Sequence, residues 1–338
     1  MTNIIDIRDE CQSQNLRRVL EDSLLSQQPS IPPLLLWDEQ GMELFSKMTE
    51  KGSTNSYGSS AEMEVLSAHV DDISKICDDG GILIDLGAGS LHKSSFVVKH
   101  LAARNGRVQF YALDISPEYL QKSLDSCTPQ MQQLGVQSVG LAGTFKDLIS
   151  WLYSNGHTFT KPVTYLWLGN SMANLSIGEV ATTLQQLIIG LPSRIRGSTK
   201  FILGLDACND HKEIIESYTS KPTELWALNA LKHANSLIGT QVFRLDEWEY
   251  QGEYDDSTRC FTASFVARRD VEMRLRGKMH RFTAGQPLKL AHSYKWNRGD
   301  LESLLESTNL EITNCWKHTT PYCEHFPLEY LSPNILPG

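Results

Sequence analysis

Four runs of consecutive apolar, mostly β-branched or leucine residues mark the middle of the chain: Gly81 to Leu86, Val108 to Leu113, Val163 to Leu168 and Phe201 to Leu205. Near-continuous apolarity, rather than alternation, is what strands covered on both faces show, as in a parallel sheet. Val136 to Ala142 is a weaker fifth run. Between the runs the apolar spacing turns helical. Glu118 to Ser126 follows a Ser116-Pro117 start signal. Ser176 to Leu191 opens on a Ser176/Glu179 capping box and stops before Pro192. Strand and helix alternate, which predicts an α/β centre built on a parallel sheet.

The flanks break this rhythm. Residues 1 to 60 hold a charged helix pattern, a turn at Pro29 to Pro33 and a short helix near Glu43 to Met48. Residues 207 to 294 begin helix-like, from His211 to Ile238, and become strand-like from Gln241 to Arg276. The tail from Lys295 carries a helix pattern, Arg298 to Glu306, then strand-like Glu311 to Trp316, suited to rejoin the sheet. The expected organisation is a central domain of residues 61–206 and 295–338. A second α+β domain is then assembled from residues 1–60 and 207–294.

With 338 residues, 41% of them hydrophobic and 21% charged, the chain is long enough for two ordinary domains. The formal net charge of -9 argues against nucleic acid or a membrane surface as partner. The densest basic stretch, Arg268 to Arg281, alternates with apolar residues and reads as the solvated face of a strand. Seven cysteines without a Cys-x-x-Cys pair suggest neither a disulfide framework nor a zinc site. No metal is expected. The polar start and the lack of a long apolar run point to a cytoplasmic protein, and either a monomer or a homodimer is expected.

The candidate chemistry lies at strand ends. The first run ends in Asp85-Leu86-Gly87-Ala88-Gly89. Glycines after a strand permit a tight turn and close approach to a ligand. A nicotinamide fingerprint needs a third glycine where His92 stands, so it fails. Asp114 ends the second run, 25 residues after Gly89, where a carboxylate can accept from both hydroxyls of a ribose. Thr144 and Phe145 follow the weaker run, at the level of a nucleobase. The run Val163 to Leu168 leads into Gly169-Asn170-Ser171-Met172-Ala173-Asn174, and Asn174 precedes the capped helix. That placement suits carboxylate binding, although Asn170 or Asn174 equally suits a plain turn cap.

These residues, with Trp37 to Phe45, Tyr57, Ala61-Glu62, Asp85 to Lys93, Tyr218, Asn229, Glu272 to Leu275 and Ser293 to Trp296, give the chain its resemblance to a known family. It resembles the histidine-specific methyltransferases that use S-adenosylmethionine (SAM). Within them it is most similar to the fungal branch acting on 4-dimethylallyl-L-tryptophan in ergot alkaloid assembly. The resemblance implies a Rossmann-like SAM-binding domain and an α+β substrate-binding domain. It implies that Tyr57, Gly87, Gly89, Lys93, Asp114, Thr144 and Phe145 hold SAM and release S-adenosylhomocysteine. Lys93 would meet the methionine carboxylate and Asp114 the ribose. The aromatic amino acid would be held by Trp37, Phe45, Gly169, Asn174, Tyr218, Leu225, Met273, Ala291 and Ser293. Tyr57 and Asn174 are the candidate catalytic residues.

Three positions depart from the histidine-binding pattern, which by resemblance has tyrosine at Trp37, threonine at Leu225 and glutamate at Ala291. A buried carboxylate opposite an indole would face a weak partner and cost desolvation. Its absence favours an indole over an imidazole. The resemblance to the tryptophan branch implies a single N-methylation of the α-amino group of 4-dimethylallyl-L-tryptophan. Histidine and unmodified tryptophan are the alternative acceptors.

Overall fold

The computed structural model describes residues 3–8, 12–49, 57–77, 81–318 and 328–333. The chain forms two compact units: Met1–Arg8, Tyr57–Cys208 and Lys295–Gly338 make the first, and Asp9–Ser56 with Asn209–Tyr294 the second. Strands and helices are numbered in chain order.

The first unit is an α/β layer structure. Its strands are β1 (Asn3–Asp6), β2 (Ile82–Leu86), β3 (Val108–Asp114), β4 (Val136–Ala142), β5 (Val163–Trp167), β6 (Lys200–Gly204), β12 (Leu310–Trp316) and β13 (Leu328–Pro333). They form one sheet in the order β1-β4-β3-β2-β5-β6-β13-β12. The first six are parallel, and β13 runs antiparallel to both β6 and β12. All five residues of β2 and of β5 are buried. Their side chains alternate between two cores. Ile82, Ile84 and Leu86 pack with α6 (Phe145–Asn155), α7 (Ile177–Ile189) and α11 (Arg298–Thr308). Leu83 packs with α3 (Tyr57–Cys77), α4 (His92–Asn105) and α5 (Pro117–Gln133). The short α8 (Ser193–Arg196) leads into β6. This is the α/β parallel sheet expected from the apolar runs, in the Rossmann-like form that the resemblance implies. Because β2 is flanked by β3 on one side and β5 on the other, the strand order reverses there. Such a reversal opens a crevice beyond the strand carboxyl ends.

The expected placement of residues 1–60 in the second region needs correcting at both ends. Asn3–Asp6 pairs in parallel with Val139–Ala142 as the sheet's edge strand. It has only two apolar residues in four and is half-solvated, so it lacks the buried-strand pattern. At the other end, the helix beginning at Tyr57 belongs to the first unit. The helix expected to stop at Ser126 runs on to Gln133 with Pro129 inside it.

The second unit holds α1 (Gln12–Leu24), a 3-10 turn at Pro33–Leu36, α2 (Glu39–Thr49), α9 (His211–Tyr218) and α10 (Lys221–Ile238). Its antiparallel sheet β11-β8-β7 combines β7 (Trp248–Asp255), β8 (Cys260–Ala267) and β11 (Pro287–Tyr294). A hairpin is formed by β9 (Val271–Leu275) and β10 (Lys278–Phe282). Burial alternates along β8, as a sheet covered on one face requires. Ile31 donates its N–H to the Lys289 carbonyl at 2.7 Å, tying the proline-rich segment to β11. Among the described residues no helix is long and apolar enough to cross a membrane, and no cluster of three or more metal-ligating side chains occurs.

Candidate active site

In the first unit the chain leaves β2 through a left-handed turn. Gly87 has φ +80° and Gly89 φ +53°, values that favour glycine. The N–H groups of Gly87 and Ala88 donate to the Leu113 carbonyl at 3.1 and 2.8 Å. Gly89 donates to Asp114 Oδ2 at 2.8 Å, and Ile115 donates to Asp114 Oδ1 at 2.7 Å. Asp114 thus ties the ends of β2 and β3 together. Burial raises its pKa, and the backbone donors oppose that rise. A Cβ built on Gly89 would meet nothing within 4 Å among the described residues, which leave open space at the turn. Asp85, at the end of β2 and fully buried, is pushed up to about 7 by desolvation first, with the charges of Asp114 and Glu62 adding to it.

A second tie centres on Glu62 of α3, which is 0% exposed. It accepts from the Gly169 N–H at 2.9 Å on Oε1 and 3.0 Å on Oε2, and pairs with the Lys93 ammonium. Gly169 (φ +75°) and Asn170 (φ +59°) turn the chain sharply after β5. Asn170 is no side-chain cap. Its Oδ1 accepts from the Asp206 N–H at 2.9 Å. Ser171 accepts from the Trp167 indole at 3.1 Å, and its Oγ lies 3.4 Å from a Cβ built on Gly87. The β5 turn and the glycine turn are therefore neighbours. Asn174 ends the 3-10 turn that follows and is exposed.

Thr144 and Phe145 have local roles in this structure. Thr144 and Asp147 form a capping box at the start of α6. The Phe145 ring packs edge-on against Trp167 with centroids 5.0 Å apart. Tyr57 starts α3, and its side chain lies outside the described part of the structure.

The expected acceptor residues of the second unit fall into separate groups. Trp37 and Phe45 meet at 5.1 Å, and Trp226 of α10 closes a triangle with them at 5.0 and 5.3 Å. Asp38 fixes this corner. Its Oδ1 accepts from the Gly41 N–H at 2.8 Å and from Asn229 Nδ2 at 2.6 Å. A second group joins the Tyr218 hydroxyl to Ser293 Oγ at 3.1 Å, with the Tyr218 ring 4.6 Å from that of Phe261. Ala291 shares a strand face with Ser293 and follows a register shift on β11, opposite Ala263. Met273 is buried but lines a cleft with Arg17, Glu21, Ile238 and Arg276, in which no other expected acceptor residue takes part. Leu225 is 48% exposed.

Two central residues, Glu62 and Trp226, are not among those expected from sequence. The motif Ala61-Glu62 carries part of the resemblance, yet nothing in it signals a buried carboxylate. Trp226 neighbours Leu225 on a helix, where adjacent residues face different directions.

Residues 16–329 match the family model described as histidine-specific methyltransferase, SAM-dependent. The chain is 30% identical to N-methyltransferase imqF of Aspergillus flavus, over 93% of this chain and 85% of that protein. It is 28% identical to Ergothioneine biosynthesis protein 1 of Neurospora crassa, over 96% of this chain and 36% of that protein. It is 26% identical to 4-dimethylallyltryptophan N-methyltransferase easF of Trichophyton verrucosum, over 93% of each.

Proposed function

Since the chain belongs to the SAM-dependent histidine-specific methyltransferase family, we propose that it N-methylates the α-amino group of an aromatic amino acid, with 4-dimethylallyl-L-tryptophan as the preferred acceptor. SAM is its methyl donor and supplies, when bound, an electrophilic methyl group on a sulfonium sulfur.

The residues present fit that donor. The open space at Gly89 admits a ligand against backbone, and Asp114 keeps lone pairs free for ribose hydroxyls beyond its three backbone donors. Lys93 has two N–H groups beyond the one used on Glu62, which suits the methionine carboxylate. Gly87 forms the turn with Gly89, while Tyr57, Thr144 and Phe145 complete the proposed donor site.

For the acceptor, the family resemblance assigns the α-carboxylate to Asn174 and to Tyr218. By the same resemblance Trp37 and Gly169 are assigned to the amine, and Phe45, Leu225, Met273, Ala291 and Ser293 to the acceptor side chain. The amine must be neutral to attack, so its proton passes first to solvent, directly or through Tyr57. Positioning supplies most of the acceleration, because the reacting atoms must meet at about 3 Å with aligned orbitals.

The observation that carries the acceptor reading is the mutual contact of Trp37, Phe45 and Trp226, with alanine rather than a carboxylate at Ala291. An aromatic and apolar lining suits an indole. The test is a mass-spectrometric screen with SAM and three acceptors: histidine, tryptophan and 4-dimethylallyltryptophan. A single methyl increment, fastest on the prenylated substrate, is expected. Two or three increments on histidine would overturn the reading.

A further inference from the structure

Glu62 is a buried carboxylate whose surroundings are built around it. Its side chain is 0% exposed, whereas that of its partner Lys93 is 18% exposed. Both carboxylate oxygens take up the single N–H of Gly169. On the neighbouring strand, a Cβ built on Gly204 would stand 1.9 Å from Glu62 Oε1. The space beside the end of β6 is therefore filled by the carboxylate, and only glycine leaves it free. Isolated buried charge is costly, and a lysine and a backbone donor are the kind of partners that offset it.

We propose that Glu62 is a positioning residue that makes, with Lys93, a charge-balanced pair matched to the zwitterionic amino-acid end of the donor. This rests on the reading of Lys93 given above. Lysine carries its charge on a flexible four-carbon stem. Glu62 pins that stem from behind and leaves the ammonium as the accessible half of the pair. A ligand end bearing both an ammonium and a carboxylate meets Lys93 directly with its carboxylate, while its ammonium feels the buried Glu62 charge through space. A bare carboxylate is attracted by Lys93 but repelled by Glu62, so the pair selects for the complete amino acid. The same carboxylate fixes the Gly169 N–H, so the turn after β5 is set together with the lysine.

The test measures binding of two nucleosides by calorimetry: S-adenosylhomocysteine, with its amino-acid end, and 5′-methylthioadenosine, without it. Glu62→Gln keeps the shape and removes the charge. It should weaken S-adenosylhomocysteine about tenfold or more, equivalent to about 1.4 kcal/mol per decade, and leave methylthioadenosine unchanged. Gly204→Ala, which displaces the carboxylate without removing it, should give the same selective loss. Equal weakening of both ligands would show a merely structural role and overturn the proposal, as would unchanged binding of both. Lys93→Ala is the control for the underlying reading. If it keeps the wild-type preference for S-adenosylhomocysteine, the donor-site assignment itself fails and the proposal falls with it.

Discussion

Asp206 Oδ2 and Lys295 Nζ stand 2.5 Å apart with their side chains 4% and 1% exposed, a buried ion pair beside the two points where the chain leaves and re-enters its first unit. The pair is held further by the Cys208 N–H on Asp206 Oδ1 at 3.0 Å and by the Trp296 N–H on the Asp206 carbonyl at 2.8 Å. Removing one member of such a pair leaves an uncompensated buried charge. Lys295→Met should therefore cost about 3–5 kcal/mol in denaturant unfolding, and adding Asp206→Asn should restore part of that loss. A single variant as stable as the wild type would sink this account.

Asp85 makes stability depend on pH. Its folded-state pKa is raised from 3.8 to about 7, chiefly by desolvation. A raised carboxyl binds its proton more tightly in the folded state. Its contribution is therefore full below pH 3.8 and is lost as pH rises through 7. Asp85→Asn, neutral throughout, should gain stability relative to the wild type across that window, by about 4 kcal/mol at most, and run parallel to it above. Urea titrations at several pH values check this; a constant difference between pH 4 and 8 contradicts it.

The sheet was legible because its inner strands are apolar on both faces, and Asp114 and the glycine turn because strand ends are where α/β sheets bind ligands. Other parts left little trace. The four-residue β1 owes its place to pairing with β4, which a two-apolar segment does not announce. Glu62 reads as one acid in a helix, and only the fold brings Lys93, Gly169 and Gly204 to it. Thr144 stands at a strand end, but its hydroxyl closes a capping box with Asp147, a signature visible in the sequence. Leu225 and Met273 entered through resemblance alone, and their surroundings depend on packing that spacing does not determine.

Gly41 is a structural requirement of the corner that carries Trp37. A Cβ there would lie 1.9 Å from the Leu36 carbonyl oxygen, which is backbone and has little freedom to yield. Gly41→Ala should destabilise the second unit by about 2 kcal/mol or more, despite the gain in helix propensity. Thermal unfolding followed by tryptophan fluorescence checks this, and an unchanged or raised Tm would refute it.

The Tyr218–Ser293 contact gives a cleaner functional test. Tyr218→Phe removes one hydroxyl and leaves the ring on Phe261. Losing a hydrogen bond to a charged carboxylate is worth about 1.5–3 kcal/mol. The KM for the amino acid should therefore rise about tenfold or more, with donor binding intact. An unchanged KM removes Tyr218 from the acceptor site.

Trp226 bears on acceptor choice. Its ring contacts both Trp37 and Phe45, and its Nε1 is buried without a hydrogen-bond partner among the described residues. Replacing it by leucine therefore breaks no hydrogen bond of that nitrogen, and the change acts through the lost aromatic surface. Each aromatic pair is worth about 0.5–1.5 kcal/mol beyond its buried area. If the triangle receives an indole, Trp226→Leu should lower kcat/KM for 4-dimethylallyltryptophan about tenfold or more, a change of at least about 1.4 kcal/mol, while Trp226→Phe should keep most of it. Donor affinity should stay at the wild-type value in both. Leucine and phenylalanine variants that matched the wild type on every acceptor would show that the triangle only packs the second unit and that the aromatic selectivity lies elsewhere.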